Sequence, residues 1–298
     1  MVTDSLLLET QDELTEFRQQ EGLYSLRSQA MADQGGLSGQ VGLGRDAHEQ
    51  VGRVVAVGYG VTAPAPGDDV VALAPHCFGT FTSTPAGLTF PMPAGLDYAE
   101  AATLPVAYLT AYAALSTFGR VRPGERVLVH AAAGGVGQAA VQVARTLGAT
   151  VYATAGSPEK RAFLRAQGVA SVGDSRSLTF ADEIRRATGG HMDVDGVDLV
   201  LNTLPARTIP QSLSLLRPLG RFVDLSNIYT DAQIDLRPFQ KGLSVVAFDL
   251  DQLMRSDPAF FAGLFREAMA YVAAHGLPPL PHHAFRIADV REAFRFMA

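Results

Sequence analysis

The 298-residue sequence predicts an α/β protein in which a doubly wound parallel sheet is joined to a smaller β-rich lobe. Three observations carry that prediction. From Arg126 onward, apolar runs ("RVLVHA", "TVYATA", "GVDLVLNTL", "GRFVDLS") alternate with helical patterns, the grammar of right-handed βαβ units. Upstream, "QVGRVVAVGYGV", "APGDDVVAL" and "GTFTST" read as valine-rich strands punctuated by glycine and proline turns. At the end of the first of these apolar runs, "HAAAGGVGQAA" sets a glycine-rich turn where a strand runs into a helix.

Taken in chain order, "DELTEFRQQEGLYSLRSQAMADQ" has helical character, and "GGLSGQVGLG" reads as a flexible link. The β-rich text begins at Gln50. A helical stretch from Tyr98 to Thr117 is broken or kinked at Pro105. "QAAVQVARTLGA" is the clearest amphipathic helix, with Val141, Ala144 and Leu147 on one face and Gly148 as its stop. "LSVVAFDL" is a further strand and a natural edge. A helix from Pro258 to about His275 precedes the closing stretch "LPPLPHHAFRIADVREAFRFMA". Residues 1–104 are assigned to an N-terminal segment and the β-rich lobe, 105–252 to the doubly wound lobe, and 253–298 to a return to the first lobe.

Composition excludes several function classes. Hydrophobic residues make up 47% and charged residues 18%, ordinary for a globular enzyme. Acidic residues outnumber basic ones 30 to 24 with no basic block, which argues against nucleic acid or an anionic membrane as partner. Cys77 is the only cysteine, so neither an intramolecular disulfide nor a cysteine-rich zinc site is possible. Cys77 itself reads as a small packed side chain. The N-terminus carries early acids and no sustained apolar stretch, so a cytoplasmic location is expected.

In the dinucleotide fingerprint, glycines fall at i, i+2 and i+5, here Ala132, Gly134 and Gly137. Gly134 admits the pyrophosphate to the backbone, and Gly137 lets the helix press on the strand. The helix's first N–H groups, with its dipole, then bind the anion. A packing turn without ligand is the alternative use of the same residues. After the second strand, Gly156 and Ser157 stand where an acid would hold an NAD ribose, with Lys160 and Arg161 close behind. Arg176, after the third strand, reaches the same pocket. A hydroxyl and cations suit a 2′-phosphate, so NADPH is the expected cofactor. His130 precedes the turn in a place that favours a structural role, and Asp198 and Asp249 read as backbone hydrogen-bonding acids.

These motifs, with "AATLPVAYLTAYAAL", "SPEKRAFLRAQGV", "DSRSLTF", "DLRPFQKGLSVVAFDLDQLM" and "EAFRFMA", resemble the medium-chain dehydrogenase/reductase superfamily. Within it, the chain is most similar to the enoyl reductase domain of modular polyketide synthases and of animal fatty acid synthase, over about residues 41–298. The resemblance implies a Rossmann lobe, a shortened GroES-like lobe and no zinc. The implied reaction is NADPH-dependent reduction of a 2-enoyl thioester carried on an acyl carrier protein beside neighbouring synthase domains. Carried over by position, Ala132, Gly134, Gly135, Val136, Gly137, Ser157, Lys160 and Arg176 would bind the cofactor. Thr110, Asn202, Phe248 and Leu250 would flank its nicotinamide and ribose. Lys160 matches a proposed proton donor of the family as well.

The chain also departs from that family. Members carry more than twenty further residues between segments matching "GQV" and "LGRD", including a tyrosine credited with proton delivery; Tyr24 is a poor substitute. Thr179 stands where an acid is common, and Asp182 is the candidate to replace it. Ser226-Asn227 replaces a Gly-Lys or Gly-Arg pair, and the chain stops at "FRFMA" where members continue, as an excised or shortened domain would. Two other functions therefore stand beside the reductase: a catalytically inactive structural domain of a synthase, and a free quinone or enone reductase.

Overall fold

The computed structural model describes residues 23–27, 36–37, 48–74, 81–190, 195–226, 237–286 and 289–297. Cys77, Asn227 and the "LGRD" segment lie outside them. Two compact units divide the chain, residues 1–109 with 254–298, and residues 110–253.

In the first unit, β1 (Leu23–Arg27), β3 (His48–Val57), β4 (Asp69–Ala74), β5 (Phe81–Pro85) and β6 (Thr89–Pro91) form an antiparallel sheet in the order β5-β1-β3-β4-β6. β2 (Gly36–Leu37) pairs instead with Phe285–Arg286. Two expectations are corrected here. Leu23–Arg27, read with helical character, is a strand between β3 and β5, and part of the glycine-rich link is β2. Long-range pairing overrides a five-residue local preference. The helical text at Tyr98 does break at Pro105. The first piece, α1 (Tyr98–Ala101), starts on a capping box in which Asp97 accepts from the Glu100 N–H and Glu100 from the Asp97 N–H. The second, α2 (Pro105–Tyr112), has its proline in first position, where the missing N–H costs nothing. Arg53 holds Asp69 with two hydrogen bonds of 2.9 and 3.0 Å, and the Tyr98 hydroxyl donates to the same carboxylate, tying α1 to the sheet.

The second unit alternates strand and helix: β7 (Arg126–Val129), α3 (Gly135–Thr146), β8 (Thr150–Ala155), α4 (Pro158–Ala166), β9 (Ser171–Asp174), α5 (Phe180–Ala187), β10 (Val197–Asn202), α6 (Ile209–Ser214), β11 (Leu216–Asp224) and β12 (Ser244–Ala247). All six strands run parallel in the order β12-β11-β10-β7-β8-β9, so the winding direction reverses between β7 and β10. Strands covered on both faces need continuous apolar text, and β7, β8 and β10 are buried almost throughout. Leu128, Phe180, Ile184, Val200, Leu213 and Phe222 share one core cluster. Asp198 accepts from the Arg126 N–H at 2.8 Å and pairs with Arg217 at 3.0 Å, the backbone role its place in the strand predicted.

After α7 (Leu250–Ser256) comes α8 (Pro258–His275), whose limits the sequence marks plainly. Asp257 caps it by accepting from the Phe260 N–H at 3.0 Å, and Gly276 ends it in the left-handed region at φ 57°. Phe261, Leu264, Phe265, Ala268, Met269 and Val272 form its buried stripe. α8 and the segment beyond it belong to the first unit. Leu280 N–H donates to Thr103 Oγ1 at 2.9 Å, and the Tyr108 hydroxyl to the Pro278 carbonyl at 2.6 Å, before α9 (Val290–Met297).

Candidate functional site

Every residue that follows a strand of the parallel sheet emerges at one edge, where the six carboxyl ends lie. Such an edge, near the reversal in winding, is where open α/β sheets take ligands. The glycine turn leaves β7 there. Ala131 adopts φ 48°, and its carbonyl accepts from the Gly134 N–H at 2.9 Å. Ala132, at the first fingerprint position, is fully buried and has no left-handed φ. The left-handed turn has moved one residue upstream, which explains why alanine can replace the first glycine. Gly134 is the N-cap of α3 at φ −79°, ψ 172°, and no side chain caps the helix.

The two remaining fingerprint glycines have different jobs. A Cβ on Gly137 would lie 2.5 Å from the Ala132 Cα and 2.6 Å from the Ala131 carbonyl oxygen, so glycine is needed for α3 to rest on the turn. A Cβ on Gly134 would meet only the Ala131 oxygen, at an ordinary 3.4 Å. The fold itself does not require glycine at 134. Within the described residues, no backbone acceptor takes the N–H groups of Gly135, Val136 and Gly137. An uncapped helix start with room over it fits a diphosphate.

The next two strands build a second polar corner. Ser157 caps α4 by accepting from the Lys160 N–H at 3.3 Å. The Arg176 side chain, arriving from the end of β9, lies over Gly156, its Nε 3.0 Å from where a Cβ would stand. The three nearby cations are not equivalent. Arg161 is committed to Asp174 at 3.2 Å and to the Ala155 carbonyl at 3.2 Å. Lys160 and Arg176 are exposed, and their charged ends have no hydrogen bond or ion pair among the described residues. Glu159 competes for this corner. Its own N–H and the Ser157 hydroxyl hold its carboxyl below the usual range, so an incoming anion must share that hydroxyl.

On the other side of β7 along the same edge, Asn202 closes β10. It is fully buried, donates to the Leu204 carbonyl at 3.1 Å and to Asp224 Oδ1 at 2.6 Å, and accepts from the Leu204 N–H at 3.3 Å. Asn202 therefore locks the ends of β10 and β11 together. Asp224, which the sequence did not single out, also accepts from the Ser226 hydroxyl at 2.8 Å, while its buried Oδ2 has no partner. Phe248 N–H donates to the Asp224 carbonyl at 3.4 Å, and its ring meets Phe118 at 4.7 Å. Leu250 opens α7, where Asp249 accepts from the Gln252 N–H at 2.8 Å. Thr110 is buried in α2.

The structure brings the turn, Ser157, Lys160 and Arg176 to one edge of the sheet. Asp182 has other company. It sits in the first turn of α5, paired to Arg185 on the same helix at 2.9 Å, its side chain 74% exposed. No contact joins it to Lys160. His130 is fully buried, with Nδ1 2.9 Å from Thr154 Oγ1 and Nε2 2.9 Å from Ser212 Oγ, and burial pushes its pKa down to about 3. It is neutral and occupied on both nitrogens. Among the described residues, no group of three or more His, Cys, Asp or Glu could hold a metal.

The parallel order, the glycine turn and the companion antiparallel sheet together define a medium-chain dehydrogenase/reductase. The zinc-binding dehydrogenase family model matches residues 135–259. Among solved structures, the CurK enoyl reductase superposes with a TM-score of 0.75 at 39% identity, covering 84% of this chain and 74% of that one. The apo JamJ enoyl reductase gives 0.78 at 31% identity, covering 98% and 90%. A phenolphthiocerol/phthiocerol polyketide synthase of Mycobacterium tuberculosis is 45% identical over 252 residues, 84% of this chain but only 11% of that protein. The chain belongs to the polyketide synthase enoyl reductases of the medium-chain dehydrogenase/reductase family. It spans about a tenth of the length of the synthases it matches.

Proposed function

We propose that the chain is an NADPH-dependent enoyl reductase domain that reduces a 2-enoyl thioester carried on an acyl carrier protein within a cytoplasmic polyketide synthase. The observation that carries this reading is the uncapped start of α3, at the same edge of the sheet as Arg176, which lies uncommitted over Gly156. The first suits a diphosphate and the second a 2′-phosphate. The relatedness to synthases of whose length the chain matches about a tenth supports a tethered substrate over a free enone.

When bound, NADPH would supply the hydride for Cβ of the thioester, and Lys160 or solvent would supply the proton at Cα. Charge collects meanwhile on the thioester oxygen, so hydrogen-bond donors near that atom lower the barrier. The rest of the work is binding and orientation by the turn and the strand ends. The test is NADPH oxidation by the purified chain with a crotonyl thioester loaded on an acyl carrier protein, beside a Gly134→Asp control. Carrier-dependent oxidation lost in the control supports the reductase. No oxidation above the control assigns the chain to the inactive structural class, and equal rates with free enones to the free reductases.

Cofactor choice has its own expected result. Arg176→Ala should weaken NADPH about tenfold and leave NADH within about twofold, because only the former loses a charge-assisted contact at an exposed site. Fluorescence titration of both nucleotides checks this, and equal losses would count against the 2′-phosphate assignment.

A further inference from the structure

The structure assigns to His130, Thr154 and Ser212 the role of a buried positioning relay that holds the glycine turn in its ligand-ready shape. All three are fully buried, and they come from three elements. His130 lies between β7 and the turn, Thr154 on β8, and Ser212 on α6.

Hydrogen-bond directions fix the arrangement. The Ser212 hydroxyl donates to the Thr208 carbonyl at 2.9 Å, so its oxygen accepts from His130 Nε2–H. With the proton of the neutral ring on Nε2, Nδ1 is an acceptor and takes the Thr154 hydroxyl proton, while Thr154 Oγ1 accepts from the Ala131 N–H at 3.3 Å. The ring is thus neutral, with its proton on Nε2, and every member of the chain is satisfied. Phe180 closes the pocket edge-on, 5.0 Å between ring centroids.

Thr154 is the point where the relay grips the turn. Its hydroxyl oxygen takes the Ala131 N–H, and its carbonyl takes the Ala132 N–H at 2.9 Å. Ala131 is an alanine in the left-handed region, which costs about 1–2 kcal/mol and has to be held there. The same two-residue seat bears Gly137 from above, close enough that no Cβ fits between. Tilt Thr154 and the seat tilts, carrying with it the N–H groups of Gly135 and Val136. Ser212 belongs to α6, which follows β10, so the relay ties the turn's pose to an element on the far side of β7 in the sheet. His130 and Ser212 are positioning residues, since they act through Thr154.

The inference uses the dinucleotide reading of the turn only for its binding readout. Thr154→Val keeps the shape and removes the hydroxyl, Thr154→Ser restores it, and Ser212→Ala removes the outer anchor. In the full chain, Thr154→Val and Ser212→Ala are expected to weaken NADPH tenfold or more. Adenosine 2′-monophosphate, which engages the Ser157 corner alone, should stay within twofold, and Thr154→Ser should recover NADPH binding. Amide exchange at Ala131 should accelerate in Thr154→Val, and the imidazole ¹⁵N pattern should leave the Nε2–H form. Parallel loss of both ligands, or no loss of either, overturns the relay. If the parent chain binds no dinucleotide, the proposed function fails instead. The relay is then decided by Ala131 exchange and the imidazole pattern, and it falls if both match the parent in Thr154→Val.

Discussion

Gly137→Ala is expected to cost about 2–3 kcal/mol of stability and to abolish dinucleotide binding with it. The added methyl would sit 2.5 to 2.8 Å from backbone atoms of Ala131 and Ala132, none of which can swing aside as a side chain could. The start of α3 must lift, and the close contact of helix on turn is lost. Gly134→Ala should behave differently, with stability changed by less than about 0.5 kcal/mol, since its Cβ makes one ordinary contact. Gly134→Asp separates fold from function most cleanly. Aspartate is a favoured N-cap, so its carboxylate should take the N–H groups that a diphosphate would otherwise use. Denaturant unfolding and NADPH titration of the three variants check the order. A Gly137→Ala chain as stable as its parent would contradict the close approach, and a Gly134→Asp chain that still binds NADPH would contradict the phosphate role.

How much of this was legible beforehand depended on how far apart the interacting residues are in the chain. The parallel sheet could be read because each strand and its following helix are local, and α8 because Asp257 and Gly276 mark its ends. β1 could not, since Tyr24 pairs with Val57 on one side and Thr84 on the other. β2 is more remote still, with Leu37 facing Phe285. The same limit governs the site. The glycine turn is a local motif and stood out. The division of labour between Arg161, spent on Asp174, and Arg176, uncommitted over Gly156, follows from β8 and β9 being neighbours, and adjacency is not written in either segment. The relay was missed because Thr154 and Ser212 lie 24 and 82 positions from His130. Asn202 was noticed as a motif residue. That its amide is committed to Asp224 and Leu204 depends on β10 and β11 pairing.

The two units are expected to answer pH in opposite directions, and Glu49→Gln is the substitution that shows it. Glu49 lies on β3 with its carboxyl end turned inward, accepting from the Val106 N–H at the start of α2 while Oε2 is buried without a partner. Burial outweighs that single hydrogen bond and pushes the carboxyl up to about 8. The folded first unit therefore holds a proton that the unfolded chain releases above its ordinary value of 4.5. The contribution of this group is full below pH 4.5 and declines as pH rises toward 8. A neutral amide mimics the protonated acid, so Glu49→Gln should flatten this decline and leave the variant the more stable chain at pH 9. In the second unit, His130 runs the other way. With its pKa near 3, against an ordinary 6.5, the unfolded chain binds the extra proton, and stability is lost as pH falls through that interval. Denaturant midpoints of parent and Glu49→Gln from pH 4 to 9 test both signs. Parallel curves above pH 5 would refute the buried acid. A midpoint that does not fall between pH 6.5 and 4 in the Glu49→Gln chain would refute the neutral, enclosed imidazole.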